Sequence, residues 1–486
     1  MILGFYTSRV LLSSLGIDNF GIYNVVGGFV GLFTILTATM TATTQRYITF
    51  ELGKPDGNPK RIFGAVMGIH LVLAVVMFIA LESIGLWFLN YELNIPSGRL
   101  YAANWVFQFS VLCSLLGLFS TPYIGVIVAQ ERMKAFAYIS MQDAILKLLI
   151  CYLLYIIPFD RLIVYSGLFS VVLIIDQFIY IFYCHKNFPE ARIQIPRDKT
   201  LYKSMFGFAG MNFIGSFTYI LNTQGVNIIL NLFFGVVVNA ARGIATQVQG
   251  AVTRFVNDFM MALNPQITKE YASGNRIESM KLSFRGARFS YYLLLAFSLP
   301  IMVRANEILH VWLNEYPEYS VIFLQYTLIT ALVGAIASPM VTVLLATGNL
   351  KANTWWIGGT RLLAIPIIYL AFKMGGDAVY AYIIILLIDI ILIFVRADIL
   401  EKITKCPFRS GLVKTVIPKI IMTTAFATIT LIGLNLIINH SLWGLILYCI
   451  LAVSLTGGIC FVIGLSKHEK DLVISYVKAK LHSHKN

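Results

Sequence analysis

Apolar stretches of about twenty residues recur along the whole chain, with short polar breaks between them. A helix that crosses a bilayer needs about 20 mostly apolar residues, because the hydrocarbon core is about 30 Å thick. The stretches are continuous and do not alternate in short segments, which excludes a porin-like barrel. The pattern predicts an all-α polytopic membrane protein with about fourteen spans. Their expected bounds are 1–16, 20–48, 62–89, 101–129, 135–157, 162–184, 205–234, 239–266, 286–313, 320–347, 353–373, 378–396, 418–438 and 442–465.

The first of these spans is shorter than the others. Residues 1–16 would rise only about 24 Å as a helix, which is less than the thickness of the hydrocarbon core. Arg9 interrupts the apolar run, and the segment has neither the basic leader nor the small-residue cleavage site of a signal peptide. We therefore expect a first helix truncated at its start, with the true start codon upstream of Met1.

The composition agrees with a membrane protein and changes the interpretation of the charge. Hydrophobic residues make up 58% of the chain and charged residues only 12%, against about 45–50% and 25% for soluble domains. The chain nevertheless carries a net charge of +14. Most of the basic residues fall on one side of the predicted spans, and by the positive-inside rule this side is the cytoplasm. Both termini are then cytoplasmic, and no nucleic-acid partner is expected because no recognition module accompanies the basic loops.

The sequence lacks the usual signatures of an enzyme or a metalloprotein. The six cysteines form no CxxC pair, and the histidines show no ligand spacing. No P-loop, no Gly-x-Ser-x-Gly motif and no paired-carboxylate site on a soluble domain is found. We expect no catalytic residues, no metal site and no cofactor.

Three pairs of matching segments indicate an internal duplication. The first pair aligns over fifteen positions without a gap and includes Pro122 and Pro339. The second also pairs Gly16 with Gly235 at the same spacing. The matched segments are 121–135 with 338–352, 48–51 with 267–270, and 89–90 with 313–314.

A repeat of six helices returns the chain to the side where it began, so the two halves have the same topology. Such parallel repeats are typical of transporters, with the substrate path between the halves. The last two spans lie outside the duplication. The predicted divisions are an N-lobe over 1–190 (spans 1–6), a C-lobe over 200–400 (spans 7–12), a helix pair over 415–466 (spans 13 and 14) and a basic cytoplasmic tail over 467–486.

This arrangement resembles bacterial polysaccharide flippases of the Wzx type, in the MATE-like branch of the MOP superfamily. The resemblance covers nearly the whole chain, although its motifs are loose. It implies a transporter that moves an undecaprenyl-diphosphate-linked oligosaccharide from the inner to the outer leaflet of the bacterial inner membrane. The segments that carry the resemblance are Ser8-Arg-Val-Leu-Leu, Gly21-Ile-Tyr-Asn-Val-Val-Gly-Gly28, Ala241-Arg-Gly-Ile-Ala245 and Ile308-Leu-His-Val-Trp-Leu-Asn314.

Charged side chains within the predicted spans are candidates for a transport role, because each costs about 2.5–3.5 kcal/mol on insertion scales. Asp143 and Lys147 are four residues apart, as are Arg254 and Asp258, so each pair could neutralise itself on one helix face. For Lys147 we therefore weigh a structural role and a binding role equally. The full set is Arg9, Arg46, Lys147, Arg254 and Arg361 among the bases, and Glu82, Asp143, Asp176, Asp258 and Asp389 among the acids.

Arg9 differs from the paired residues, since no acid lies three or four positions away. The resemblance implies that it helps to hold the diphosphate headgroup. Spans 1, 2, 7 and 8 each have a polar side, which predicts a hydrated cavity where amides and hydroxyls bind sugars and guanidinium groups bind a diphosphate. The predicted substrate-binding residues are Arg9, Arg254, Arg242, Asn24, Gln45, Asn227, Gln249, Asn257 and Lys147.

The energy source stays open at this stage. Asp143, Asp176 and Glu82 are candidates for a proton or cation site that would drive transport. A MATE-type antiporter of drugs or organic cations is the main alternative, but it should prefer acidic cavity residues. A membrane polysaccharide polymerase is a less favoured alternative, because the loops are short. Expected partners are membrane lipids and the lipid-linked sugar, together with a polysaccharide polymerase and glycosyltransferases.

Overall fold

The computed structural model describes residues 2–33, 36–37, 40, 43–44, 47–48, 51, 57–130, 132–192, 194, 196, 198–347, 353–467 and 469–471. Among these residues the secondary structure is helical, without any β-strand. The main helices in chain order are α1 (Ile2–Gly31), α2 (Pro59–Tyr91), α3 (Leu100–Ala129), α4 (Met133–Ile156), α5 (Arg161–Asn187), α6 (Lys199–Phe234), α7 (Val236–Ala272), α8 (Arg276–Val303), α9 (Ala305–Leu313), α10 (Ser320–Ala346), α11 (Trp355–Lys373), α12 (Val379–Thr404), α13 (Phe408–Ile437) and α14 (Leu442–Gly464).

The predicted fold class is confirmed. Within the described part of the chain, nine helices are long and apolar enough to cross a membrane, and each matches a predicted span. The polar helices α6 and α7 match predicted spans seven and eight, and α12 matches span twelve. The first predicted span and the start of the second form α1.

The ninth span differs from its predicted bounds of 286–313. Its helix, α8, begins ten residues earlier, because the charged segment after Asn275 is helical although it is not apolar. The span ends at Val303, and the short helix α9 follows Arg304, whose backbone leaves the helical conformation. Hydropathy therefore located the apolar centre of this span but not its ends.

Side-chain caps at loop residues start several of the helices. Asn58 accepts a hydrogen bond from the backbone nitrogen of Arg61 at 3.1 Å, and Asp198 accepts one from Thr200 at 2.9 Å. Ser441 accepts one from Gly444 at 3.1 Å at the start of α14. Each cap satisfies a backbone N–H that the first turn of a helix leaves unpaired.

The two glycines paired by the internal duplication have the same unusual backbone conformation. Gly16 interrupts α1 with φ 77° and ψ 169°, and Gly235 separates α6 from α7 with φ 77° and ψ −170°. Only glycine adopts this region without strain. The duplication therefore repeats a local conformation, and this explains why glycine stands at both positions.

Two further pairs of equivalent positions share local structure. Pro122 and Pro339 both lie inside helices and are buried there. At the same spacing, Asp160 and Asp377 each cap a sixth helix of their repeat: the Asp160 carboxylate accepts from Leu162 N at 3.0 Å, and the Asp377 carboxylate accepts from Val379 N at 2.9 Å. Partial burial opposes ionisation of Asp160, but its bonds from Arg99 and two backbone N–H groups outweigh it and lower its pKa.

Contacts divide the chain into two compact units. The first unit comprises Met1–Gly243, Glu315–Tyr319 and Leu362–Ala381, and the second comprises Ile244–Asn314, Ser320–Arg361 and Tyr382–Asn486. The division falls within α7, whereas the predicted boundary between the two repeats falls between residues 190 and 200. The predicted lobes describe the repeat and stay a prediction.

Aromatic packing joins α2, α3 and α5 in the first unit. Phe63 meets the ring of Tyr123 edge-on, with ring centres 5.4 Å apart, in a buried cluster that also contains Tyr180 and Cys184. Because lipid tails are as apolar as these side chains, close packing and hydrogen bonds hold the helices together more than removal of apolar surface from water does.

In the second unit, the buried residue Arg304 links α13 and α14 to α8 and α9. Its side chain is 0% exposed. Its Nε donates to Asn435 Oδ1 at 2.7 Å and its Nη2 to Ile438 O at 2.7 Å, while its guanidinium lies 4.3 Å from the centre of the Tyr448 ring. Glu307 supplies the opposite charge at 3.2 Å. Four groups thus satisfy one buried cation, which fixes where α13 and α14 pack.

Gly235→Ala should destabilise the protein by about 1–3 kcal/mol, because a Cβ is strained at this backbone conformation even though the nearest side-chain atom would be 3.7 Å away. Gly27→Ala is the matched control, since Gly27 is helical and a Cβ there meets nothing within 4 Å. Thermal unfolding in detergent should show a lower melting temperature for Gly235→Ala alone. Equal melting temperatures for the two variants would contradict the assignment.

Candidate functional site

Hydrogen bonds of amide side chains join α1, α6 and the start of α7 in the first unit. Asn227 Nδ2 donates to the backbone oxygen of Asn24 at 3.2 Å, and Asn239 Nδ2 donates to Asn227 Oδ1 at 2.8 Å. Arg242 Nη2 donates to Thr223 O at 3.1 Å. A Cβ on Gly28 would lie 2.4 Å from Asn227 Nδ2, so a larger residue there would displace this amide. The predicted residues Asn24, Asn227 and Arg242 are therefore brought together, and they hold helices to one another.

Asn239 belongs to this cluster but was not among the predicted residues. Its side chain is fully buried and bonds Asn227 twice, through the backbone oxygen at 2.7 Å and the side-chain oxygen at 2.8 Å. The signal in the sequence is an asparagine within an apolar span, one helical turn after Gly235.

A second cluster in the first unit contains charged side chains from α4 and α5. Lys147 Nζ lies 2.8 Å from Asp143 Oδ1, and the same ammonium lies 4.8 Å from the centre of the Phe169 ring. Asp176 is buried and accepts from Gln142 Nε2 at 3.1 Å, and its carboxyl group interacts with Asp143. Asp143, Asp176 and Lys147 thus form one cluster of two acids and one base, with a formal excess of one negative charge.

The predicted self-neutralised pair of Asp143 and Lys147 is thus formed. This pairing occupies the ammonium group, so the structure offers Lys147 a local role. Glu82, the third predicted acid, lies on α2 and accepts instead from Gln108 Nε2 at 3.1 Å. Its other carboxyl oxygen is buried and has no hydrogen-bond partner among the described residues.

A cavity of about 190 Å³ lies within the second unit. Three residues of α7 line one side of it with polar groups: Gln249, Thr253 and Asn257. Thr330 and Ser338 of α10 line another. The predicted residues Gln249 and Asn257 therefore face a common space, and the spacing of four on α7 explains why they share a helix face.

An ion pair forms part of the wall of this cavity. Arg361 Nη2 of α11 donates to Asp389 Oδ2 of α12 at 3.0 Å, and both residues line the cavity. Arg396 lies two turns beyond Asp389 on α12 and is only 8% exposed. The charges that act on Asp389 are those of Arg361 and Arg396. Two bases and one acid thus form a cluster with a formal excess of one positive charge.

Arg396 was not recognised from the sequence, and the hydrated cavity was predicted between spans 1, 2, 7 and 8, of which only span 8 (α7) lines the cavity of the second unit. The available signal was the spacing of seven residues between Asp389 and Arg396, which places both on one face of a helix. Thr330 and Ser338 were also missed, because single hydroxyl residues are common in membrane helices and carry little information alone.

Arg254 is exposed and lies halfway along α7. Asp258, four residues further on, is also exposed, and no salt bridge joins the two within the described part of the chain. The predicted neutralising pair is therefore absent. On a helix with 100° per residue, Arg254 projects about 60° from Asn257, which places it beside the cavity-lining face.

Arg9 is also exposed, in the first half of α1. Its helix is held by other groups: Tyr6 and Tyr152 hydroxyls lie 2.8 Å apart, and Arg161 donates to Ser14 O at 3.0 Å. The guanidinium of Arg9 is thus accessible while its neighbours anchor the helix. Gln45, the remaining predicted residue, lies outside the described residues.

No known family profile matches the sequence, and no curated protein matches it. Several solved structures do match this chain. An inward-facing multidrug resistance MATE transporter of the MOP superfamily aligns with a TM-score of 0.66 and 13% identity, covering 83% of this chain and 96% of its own. The lipid II flippase MurJ, in an inward closed conformation, aligns with a TM-score of 0.65 and 13% identity, covering 95% of this chain and 98% of its own.

A MOP superfamily transporter from Pyrococcus furiosus, described as having a binding pocket of reversed polarity, aligns with a TM-score of 0.51 and 14% identity over 85% of this chain and 96% of its own. At such identities the likeness concerns the fold alone. This chain has the fold of MOP-superfamily membrane transporters.

If Arg254 faces water, a cysteine at its position should react with a charged, water-soluble methanethiosulfonate reagent. The test uses a background in which the six native cysteines are replaced. Ile429→Cys is the control, because Ile429 is 69% exposed on α13 but sits among apolar side chains and should face hydrocarbon. Mass spectrometry should show rapid labelling at position 254 and almost none at 429. Equal labelling would refute an aqueous environment at Arg254.

Proposed function

We propose that this protein is a flippase for an undecaprenyl-diphosphate-linked oligosaccharide, such as an O-antigen, capsule or exopolysaccharide unit, in the bacterial inner membrane. The observation that carries the proposal is the exposed guanidinium of Arg254, which has no salt bridge among the described residues and lies beside a polar cavity. Arg361, Asp389 and Arg396, at and beside the same cavity, form a cluster with a formal excess of one positive charge.

The electrostatics favour an anionic substrate. An arginine in the middle of a membrane helix is costly unless water, a headgroup or a ligand reaches it. A diphosphate satisfies a guanidinium especially well, because the planar fork of N–H groups can bind two oxygens at once. Arg9 offers a second accessible guanidinium, which the resemblance of its segment also favours.

The polar walls suit the sugar part of such a substrate. The amides of Gln249 and Asn257 and the hydroxyls of Thr253, Thr330 and Ser338 can donate and accept hydrogen bonds with sugar hydroxyls. The polyprenyl tail needs no polar site and stays in lipid. The apolar side chains exposed on α13, including Ile429, Ile432 and Leu436, are compatible with contact to such tails.

The acidic cluster of the first unit is a candidate for the driving ion. Asp143, Asp176 and Lys147 together carry a formal excess of one negative charge, which a proton or a monovalent cation would neutralise. Uptake of that cation would couple an ion gradient to movement of the anionic substrate, without ATP hydrolysis. Glu82 would act separately from this cluster.

A MATE-type exporter of organic cations is the second candidate, and the same acidic cluster is the observation that favours it. The MATE transporter among the structural neighbours covers 83% of this chain, whereas the lipid II flippase covers 95%. The positive excess beside the cavity of the second unit argues against cationic cargo there. In this proposal, glycosyltransferases supply the cargo and a polymerase consumes it.

Replacing Arg254 with alanine should lower surface polysaccharide about tenfold or more in the native strain, because a charge-assisted contact to the headgroup is lost. Arg254→Lys should retain part of the activity. Arg132→Ala is the matched control, since Arg132 is exposed at the start of α4 and away from both clusters. Immunoblots of membranes check that all variants are present. Normal polymer with Arg254→Ala would refute the assignment.

Asp176→Asn should abolish stimulation of transport by an ion gradient while leaving binding of the lipid-linked substrate unchanged. The amide keeps the bond geometry at Gln142 but removes the charge that attracts the cation. Proteoliposomes with an imposed proton or sodium gradient separate the two ions. Undiminished stimulation by both gradients would exclude Asp176 from coupling.

A further inference from the structure

We infer that the cavity of the second unit is a glycosyl-phosphate site, in which Arg361 binds the phosphate and the polar walls bind the sugar. The inference deepens the proposed function and rests on it for the class of ligand. It concerns residues of α7, α10, α11 and α12 that lie within one unit.

The cavity is much larger than one monatomic ion. Its volume of about 190 Å³ far exceeds the roughly 10–15 Å³ that one water molecule needs when volumes are measured by a probe of that size. A ligand of several atoms, or a group of waters that a ligand displaces, is needed to fill it.

The charge at and beside the cavity favours an anion, because the ion pair of Arg361 and Asp389 lines the cavity and the buried Arg396 lies two turns further along α12. The only charged groups that act on Arg396, within the described chain, are Arg361 and Asp389. These three groups together carry a formal excess of one positive charge within the membrane helices. Such a charge is costly unless an anion or water compensates it.

The burial of Arg396 adds an independent reason. Arg396 is only 8% exposed, and its Nε has no hydrogen-bond partner among the described residues. Buried donors in native proteins are nearly always paired. A second negative group near α12 would satisfy both its charge and the electrostatics of the pair next to it.

The ion pair also has the arrangement that an entering anion needs. The side chain of Arg361 is 37% exposed, whereas that of Asp389 is 11% exposed. The guanidinium is therefore the more accessible member of the pair, and the carboxylate that binds it holds it in place. A cation is disfavoured at this pair, because Arg361 already binds the carboxylate.

The rest of the wall selects a hydroxylated ligand. Thr253 is already bonded to Gln249 O at 2.8 Å through its hydroxyl. The amides of Gln249 and Asn257, by contrast, make no hydrogen bond with other described residues. Two unused amides and the Ser338 hydroxyl beside a guanidinium suit a sugar that carries a phosphate better than phosphate alone.

The test is isothermal titration of the full-length protein in detergent with glucose 1-phosphate, inorganic phosphate and glucose. Glucose 1-phosphate should bind most tightly, because it uses both the guanidinium and the polar wall. Arg361→Gln should weaken its binding about tenfold or more, and Arg361→Lys should restore part of the loss. Lys281→Gln, which removes an exposed positive charge from the same unit, should bind as the wild type does.

A second variant guards against loss of folding. Thr330→Val with Ser338→Ala keeps every charge and nearly every atom of the wall, and it should weaken glucose 1-phosphate while leaving inorganic phosphate unchanged. Equal affinities for glucose 1-phosphate and glucose would overturn the inference, as would wild-type binding by Arg361→Gln.

Transport of the lipid-linked substrate by the wild type separates the two proposals. Transport without glucose 1-phosphate binding overturns the site and leaves the proposed function standing. Binding that depends on Arg361, without transport, supports the site and overturns the function.

Discussion

The cost of placing a charge inside a membrane determines most of what is distinctive in this protein. A charge there must be paired, fully hydrogen-bonded or exposed to water. Each solution occurs in this chain. Lys147 is paired with Asp143, Arg304 is satisfied by four groups in a dry interior, and Arg254 is exposed without a salt bridge in the described structure. Arg361 combines two of these solutions, because it is paired with Asp389 and is still 37% exposed.

The same criterion distinguishes the two clusters of the fold. The first unit holds two acids and one base between α4 and α5, and the second holds two bases and one acid at α11 and α12. These helices are the fifth and sixth of each repeat. The two clusters thus lie on corresponding helices of the predicted repeat, although their charged residues are not at equivalent positions. The opposite formal charges of the two clusters are the basis of our proposal that one unit takes up a cation and the other an anionic substrate.

The sequence predicted the fold well because its determinants are local. Span length follows from hydropathy, and the duplication predicted the equivalence of Gly16 and Gly235, which share one backbone conformation. The bounds of the ninth span were less predictable, since charged residues at the start of α8 continue the helix beyond its apolar part. Helical propensity and membrane depth are different properties, and hydropathy reports only the second.

The candidate site was less predictable, because it depends on which neighbours reach a side chain. Arg254 and Asp258 have the spacing of a pair yet form none, whereas Asp143 and Lys147 have the same spacing and do. Asn227 and Arg242 bond to backbone oxygens of adjacent helices, which no helical wheel reveals. The cavity joins residues of five helices, so its polar wall emerges only from tertiary packing.

The central claim is that the cargo is an anionic, lipid-linked sugar. Reconstituted wild-type protein tests it most directly, with translocation of an undecaprenyl-diphosphate-linked oligosaccharide and of a lipophilic organic cation measured side by side in the same vesicles. The account predicts that the lipid-linked sugar reaches the opposite leaflet much faster than in protein-free vesicles, while the cation does not move. Transport of the cation without movement of the lipid-linked sugar would contradict it.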